Sequence, residues 1–97
     1  MKVRYHIEAV EEYDEAVDYY TEISPQLAAS LIEEIERCIV RIGEHPFQAK
    51  EIQPHIHAVG TKVFPYQLVY MIERDAVTIL AVSHEKRDPE YWLHRVN

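Results

Sequence analysis

The sequence predicts an α+β fold in the order β-α-α-β-β-β-α. The expected architecture is an antiparallel-dominated four-stranded sheet with an N-terminal helical hairpin packed on one face. Three observations lead there. The apolar period is near 3.6 residues in the first half and becomes two beyond Pro54. Ser24-Pro25 leaves only two or three residues between two amphipathic runs, the connection of an antiparallel helical hairpin. The run from Ala76 to Ser83 is nearly all apolar and rich in β-branched residues, as a central strand requires.

Each element follows from its own pattern. Residues 2–7 alternate, with Val3, Tyr5 and Ile7 on one side, and predict a short strand. Ala9, Tyr13, Ala16, Val17 and Tyr20 recur at three- and four-residue spacing, predicting a helix over 8–22. Its other face carries Glu8, Glu11, Glu12, Asp14, Glu15, Asp18 and Glu22 and reads as solvated. Ser24 is an N-cap and Pro25 a first helical residue. The second helix, 25–43, shows an apolar stripe of Leu27, Leu31, Ile35, Cys38, Ile39 and Ile42 and is expected to stop at Gly43. Residues 44–56 read as irregular. Strands are expected over 57–64, 66–73 and 76–84, the last two joined by a turn at Arg74-Asp75. Asp88-Pro89 should open a short terminal helix.

Composition narrows the function. At 97 residues the chain is one domain's worth, taken as a single domain over 1–97. Two Gly exclude a Gly-rich phosphate loop, and one Cys excludes an internal disulfide and suits a reducing compartment. No apolar run is long enough for a signal peptide or a membrane span, so a cytoplasmic location without membrane contact is expected. The net charge of −7 lies wholly in residues 1–51, while residues 52–97 balance. A plain nucleic-acid binder would show a basic excess, so such a role here needs a local basic site. His45, His55 and His57 invite a metal reading, but no Cys or carboxylate falls at a recognised ligand spacing. Neither metal nor cofactor is expected. Cys38 reads as a small buried residue, and Tyr13, Tyr19, Tyr20 and Tyr70 as packing residues with hydroxyls at the rim.

Three segments carry a family resemblance. They are Val63-Phe64-Pro65-Tyr66-Gln67-Leu68-Val69-Tyr70, Val77-Thr78-Ile79-Leu80-Ala81-Val82-Ser83-His84, and Lys86-Arg87-Asp88-Pro89-Glu90-Tyr91-Trp92. With Glu15-Ala16-Val17-Asp18-Tyr19-Tyr20 in the first helix, they closely resemble the RelE/ParE toxin superfamily. The resemblance spans almost the whole chain and implies a RelE/ParE-like fold. It also implies the toxin of a type II toxin–antitoxin module, a growth inhibitor neutralised by a cognate antitoxin. Two activities share that fold, ribosome-dependent mRNA cleavage and DNA gyrase inhibition, and fold alone does not choose between them. A homodimer is open in the antitoxin's absence, and a non-toxic member that only binds antitoxin is the alternative.

Carried over position by position, the resemblance implies site residues at Lys62, Lys86, Arg87 and Tyr91. Metal-free cleavage of RNA needs a base for the 2′-hydroxyl, cations at the phosphorane and an acid for the leaving oxygen. The superfamily usually places Arg where this chain has Met71, and an uncharged thioether cannot stabilise a phosphorane. Lys86 replaces a more usual Arg and forfeits bidentate phosphate contact. His84 reads as a strand-end cap, with acid–base chemistry as its alternative. Trp92 reads as a core or partner-contact aromatic.

Overall fold

The computed structural model describes residues 1–96. The elements are β1 (Lys2–Tyr5), α1 (Ile7–Ile23), α2 (Pro25–Glu44), β2 (Lys50–Gln53), β3 (Ile56–Gly60), β4 (Tyr66–Ile72) and β5 (Ala76–His84), then one 3₁₀ turn, Leu93–Arg95. β1 is shorter than its alternation suggests because His6 caps α1, its Nδ1 accepting the Glu8 N–H at 3.1 Å. Ser24 serves both helices. Its N–H donates to Tyr20 O at 2.8 Å and its Oγ accepts the Leu27 N–H at 3.3 Å. α2 runs through Gly43 instead of stopping there. The glycine has a steric purpose, since a Cβ at this position would lie 3.2 Å from Val3 Cγ2 and 3.3 Å from Met1 O. Gly43 thus lets α2 settle against the β1 segment.

The sheet has five strands in the order β1-β5-β4-β3-β2, one more than predicted. β1 pairs parallel with β5, placing Lys2 opposite Ala76, and every other pairing is antiparallel. The unforeseen strand is β2, within the stretch expected to be irregular; Gln53 and Ile56 bracket a Pro54-His55 turn in which His55 has φ 68°. β3 ends at Gly60 rather than 64. Thr61 pulls the chain into a loop there, its N–H donating to Tyr66 O and its hydroxyl to Phe64 O. The expected terminal helix is reduced to the 3₁₀ turn. Glu90 sits at φ 68°, outside helical space, and Trp92 turns inward.

The helices cover one face of the sheet. Leu31, Ile35 and Ile42 pack on Leu68, Tyr70, Val77 and Ile79. Leu27, expected on the same stripe, is exposed, as is Tyr19. Tyr70 is wholly buried and its hydroxyl donates to Pro46 O at 2.6 Å. His57 stacks on Tyr70, and its Nδ1 lies 2.7 Å from Ala49 O. The opposite face is covered by the C-terminal segment, which lays Trp92 against Ile56, Val69, Leu80 and Ala81.

Candidate functional site

β1 protects only half of β5. Its register ends with Tyr5 opposite Ile79, and the His6 N–H adds one bond to Ile79 O at 2.9 Å. Leu80 is then the extra residue of a bulge, because Ala81 faces Val69 while Ile79 faces Tyr70. From Leu80 onward β5 lacks a strand on that side, and unpaired buried backbone groups are costly. Two side chains supply the missing partners. Glu12 of α1 accepts the Val82 N–H at 2.9 Å, and Arg95 Nη1 donates to Leu80 O at 2.9 Å.

These two residues also hold each other. Arg95 Nη1 and Nη2 donate to the two Glu12 oxygens at 3.0 and 2.9 Å, with side chains 5% and 11% exposed. Burial alone would lower the Arg95 pKa, but the Glu12 carboxylate more than offsets it and keeps the guanidinium charged. Glu8 extends the network. Its Oε2 lies 3.1 Å from Arg95 Nε and 2.9 Å from His94 Nε2, and the His94 bond holds its carboxyl below the usual range.

Tyr91 and Arg87 rest on this base. The Tyr91 hydroxyl donates to Glu12 Oε2 at 2.7 Å. Burial first, then that bond, push its phenol up to about 12, so at neutral pH Tyr91 stays protonated and is a poor proton shuttle. The Arg87 guanidinium carbon lies 3.8 Å from the Tyr91 ring centre, a cation–π stack, and its Nη1 is 4.0 Å from Glu12 Oε2. Beside them a cleft of about 420 Å³ opens between α1 and β5, with Tyr19, Tyr20 and Tyr66 on its wall and His84 and Arg87 at its rim.

The four residues expected to form one site do not share one place. Arg87 and Tyr91 are together. Lys62 lies in the β3–β4 loop and lines a different cleft with Arg37 and Arg41 of α2. Lys86 is exposed, its N–H donating to His84 Nδ1 at 3.0 Å. His84 also accepts the Arg87 N–H on its carbonyl at 3.0 Å, so these two bonds shape the turn after β5, while its ring packs edge-on against Tyr66. Met71 packs against the apolar cluster under Trp92, on the face the C-terminal segment covers.

Four participants went unrecognised in the sequence: Glu8, Glu12, His94 and Arg95. For Glu12 a signal was present. It falls three residues after Ala9 and four before Ala16, both buried, so it lies on the inward stripe of α1 rather than on the solvated face. Arg95 carried no such mark.

Comparisons with known proteins agree with this architecture. A family model described as "ParE toxin of type II toxin-antitoxin system, parDE" matches residues 3–89. No curated protein is significantly similar in sequence. Among solved structures, a chain of the chromosomal ParDE toxin–antitoxin system from P. aeruginosa superposes with a TM-score of 0.75 at 16% identity. The match covers 87% of this chain and 95% of that one, and at this identity it speaks for the fold.

Proposed function

The chain belongs to the ParE toxin family of type II toxin–antitoxin systems, and from that premise we propose that it is a cytoplasmic growth inhibitor, neutralised by a cognate antitoxin, that acts by binding DNA gyrase through its C-terminal segment. The observation that carries this reading is the Arg87–Tyr91 stack. The two side chains stack on each other, and Glu12 fastens the Tyr91 hydroxyl beneath them. Phosphate chemistry asks instead for convergent cations and a group that titrates near neutrality. Lys62 belongs to another cleft, Tyr91 is held as a donor, and Met71 is engaged in apolar packing. A stacked guanidinium beside three tyrosines suits protein recognition, where Arg and Tyr anchors carry much of the binding energy.

The test is a supercoiling assay with purified gyrase and ATP, run beside transcript-cleavage mapping in a translating extract. Inhibited supercoiling with intact transcripts is the expected result, with Arg87→Ala relieving the inhibition. Codon-positioned cleavage would move the protein to the ribosome-directed branch. Inactivity in both assays, with antitoxin binding retained, would identify a member that only binds its antitoxin.

A further inference from the structure

The cleft beside Arg87 holds chemistry that the gyrase reading leaves unused. Ala16 and Val82, both buried, line its depth and leave open a volume of about 420 Å³. Clefts that hold small ligands typically span roughly 300–1,000 Å³. Three tyrosines form the walls and meet at steep angles. The Tyr19 and Tyr20 ring centres lie 5.0 Å apart with planes at 89°, and those of Tyr20 and Tyr66 lie 6.4 Å apart at 70°. The His84 ring continues the series, 5.3 Å from Tyr66 at 83°. Phe64 of the core braces Tyr20 edge-on, 5.1 Å away. Rings set nearly perpendicular in this way enclose a space on more than one side, as the walls of an aromatic box do.

The charge of the cleft is negative, and part of it is unmatched. Two carboxylates line it, Glu12 and Glu15. Both Glu12 oxygens are occupied by Arg95, the Tyr91 hydroxyl and the Val82 N–H. Glu15 stands one helical turn before Tyr19 and has no ion pair among the described residues. The helix that carries it, α1, contains no Lys, Arg or His, so its field draws cations toward this face. Arg87 at the rim does not cancel that field. It is stacked on Tyr91 and lies 4.0 Å from Glu12 Oε2, so its charge is already matched.

We propose that this cleft binds a small quaternary ammonium ion, its charged head between the tyrosine walls and Glu15 at the mouth. An ammonium that keeps its N–H groups is strongly hydrated, and tyrosine faces return little of what it loses on leaving water. A trimethylammonium head is weakly hydrated and spreads its charge over methyl groups. Aromatic faces can stand in for its water, while an unpaired carboxylate supplies the counter-charge. Anions are disfavoured by the same carboxylates and by the rest of α1. A neutral apolar molecule gains nothing from Glu15. The proposal goes beyond the gyrase reading and is tested in the absence of gyrase, so either can fail without the other.

The experiment is a titration of the isotopically labelled protein with choline chloride, followed by amide chemical shifts. It is run in about 0.15 M sodium chloride, where attraction between distant exposed charges is largely screened. The comparison ligand is the neutral carbon isostere of choline, in which a tert-butyl group replaces the trimethylammonium. Saturable shifts confined to the residues that line the cleft are expected with choline. Its methyl proton resonance should move upfield, because protons above an aromatic face are shielded. The neutral isostere should bind about tenfold more weakly or worse. Tyr19→Leu and Glu15→Gln should each weaken choline about threefold or more and leave the thermal midpoint unchanged, since both side chains are exposed. Equal binding of the two ligands would overturn the proposal in favour of a plain apolar slot. Shifts spread along α1 without saturation below about 50 mM would overturn it in favour of loose counter-ion attraction. Choline affinity unchanged in both variants would overturn it as well, since the ion would then lie elsewhere.

Discussion

At the scale of single residues, the densest chemistry lies at Glu12, where one carboxylate serves a backbone N–H, a phenol and a buried guanidinium. Removing one partner of a buried ion pair leaves the other uncompensated, so Glu12→Ala should cost about 3–5 kcal/mol in urea unfolding. Tyr91 should then ionise nearer the ordinary tyrosine value of 10, read from its ultraviolet difference spectrum. In the natural protein the raised phenol pKa has a definite sign in linkage. The unfolded chain releases the Tyr91 proton near pH 10 while the folded chain keeps it to about 12, so this stabilisation is complete below pH 10 and declines between pH 10 and 12. A melting temperature that rises over that interval would contradict the assignment. The site was only partly legible in the sequence. Arg87 and Tyr91 stand in the resembling segment and do meet, whereas the residues that hold them come from α1 and the chain's last turn, and no local spacing announces that pairing. Lys62 was grouped with them because residue type and motif position carry no information about which edge of the sheet a loop faces.

At the scale of elements, α2 is the most sharply specified. Leu31 and Ile35 are wholly buried in the middle of its stripe, and replacing either by Ala should cost about 2–5 kcal/mol in chemical denaturation. Ser24→Ala tests the junction, where the loss of one N-cap oxygen should cost about 1 kcal/mol. Values near zero would mean that the hairpin is held by packing alone. Both helices, and the central strands β4 and β5, were legible because long periodic patterns record which face is buried. β2 was not. It is a four-residue edge strand with three exposed positions, so its only signature is its pairing with β3, a long-range fact absent from its own residues. The terminal helix failed for a related reason. Asp88-Pro89 offers a proper start, but burial of Trp92 against the sheet outweighs roughly one turn's worth of helix propensity, and short helices have little of their own to set against it.

At the scale of the whole molecule, the fold separates two surfaces. One bears the Arg87–Tyr91 stack beside the acidic helix α1, and the other is the cleft that Lys62 lines with Arg37 and Arg41 of α2. The sheet beneath both helices pairs its first strand only with its last, and that arrangement governs the order in which the protein can come into being. A chain cut after Ile72 has no neighbour for β1, no partner for the outer side of β4, and no Val77 or Ile79 to complete the core beneath Leu31 and Ile35. We expect such a fragment to show no cooperative urea transition by circular dichroism; a sigmoidal unfolding curve would refute this. Contacts this distant in sequence also slow folding, because the whole intervening loop must be closed before they form. During synthesis, therefore, the helical hairpin emerges early and waits without the sheet it packs on, and the surface that carries Arg87 is assembled only after β5 has been made. A toxin-family chain built in this order lacks its Arg87 surface for nearly all of the time its own translation takes.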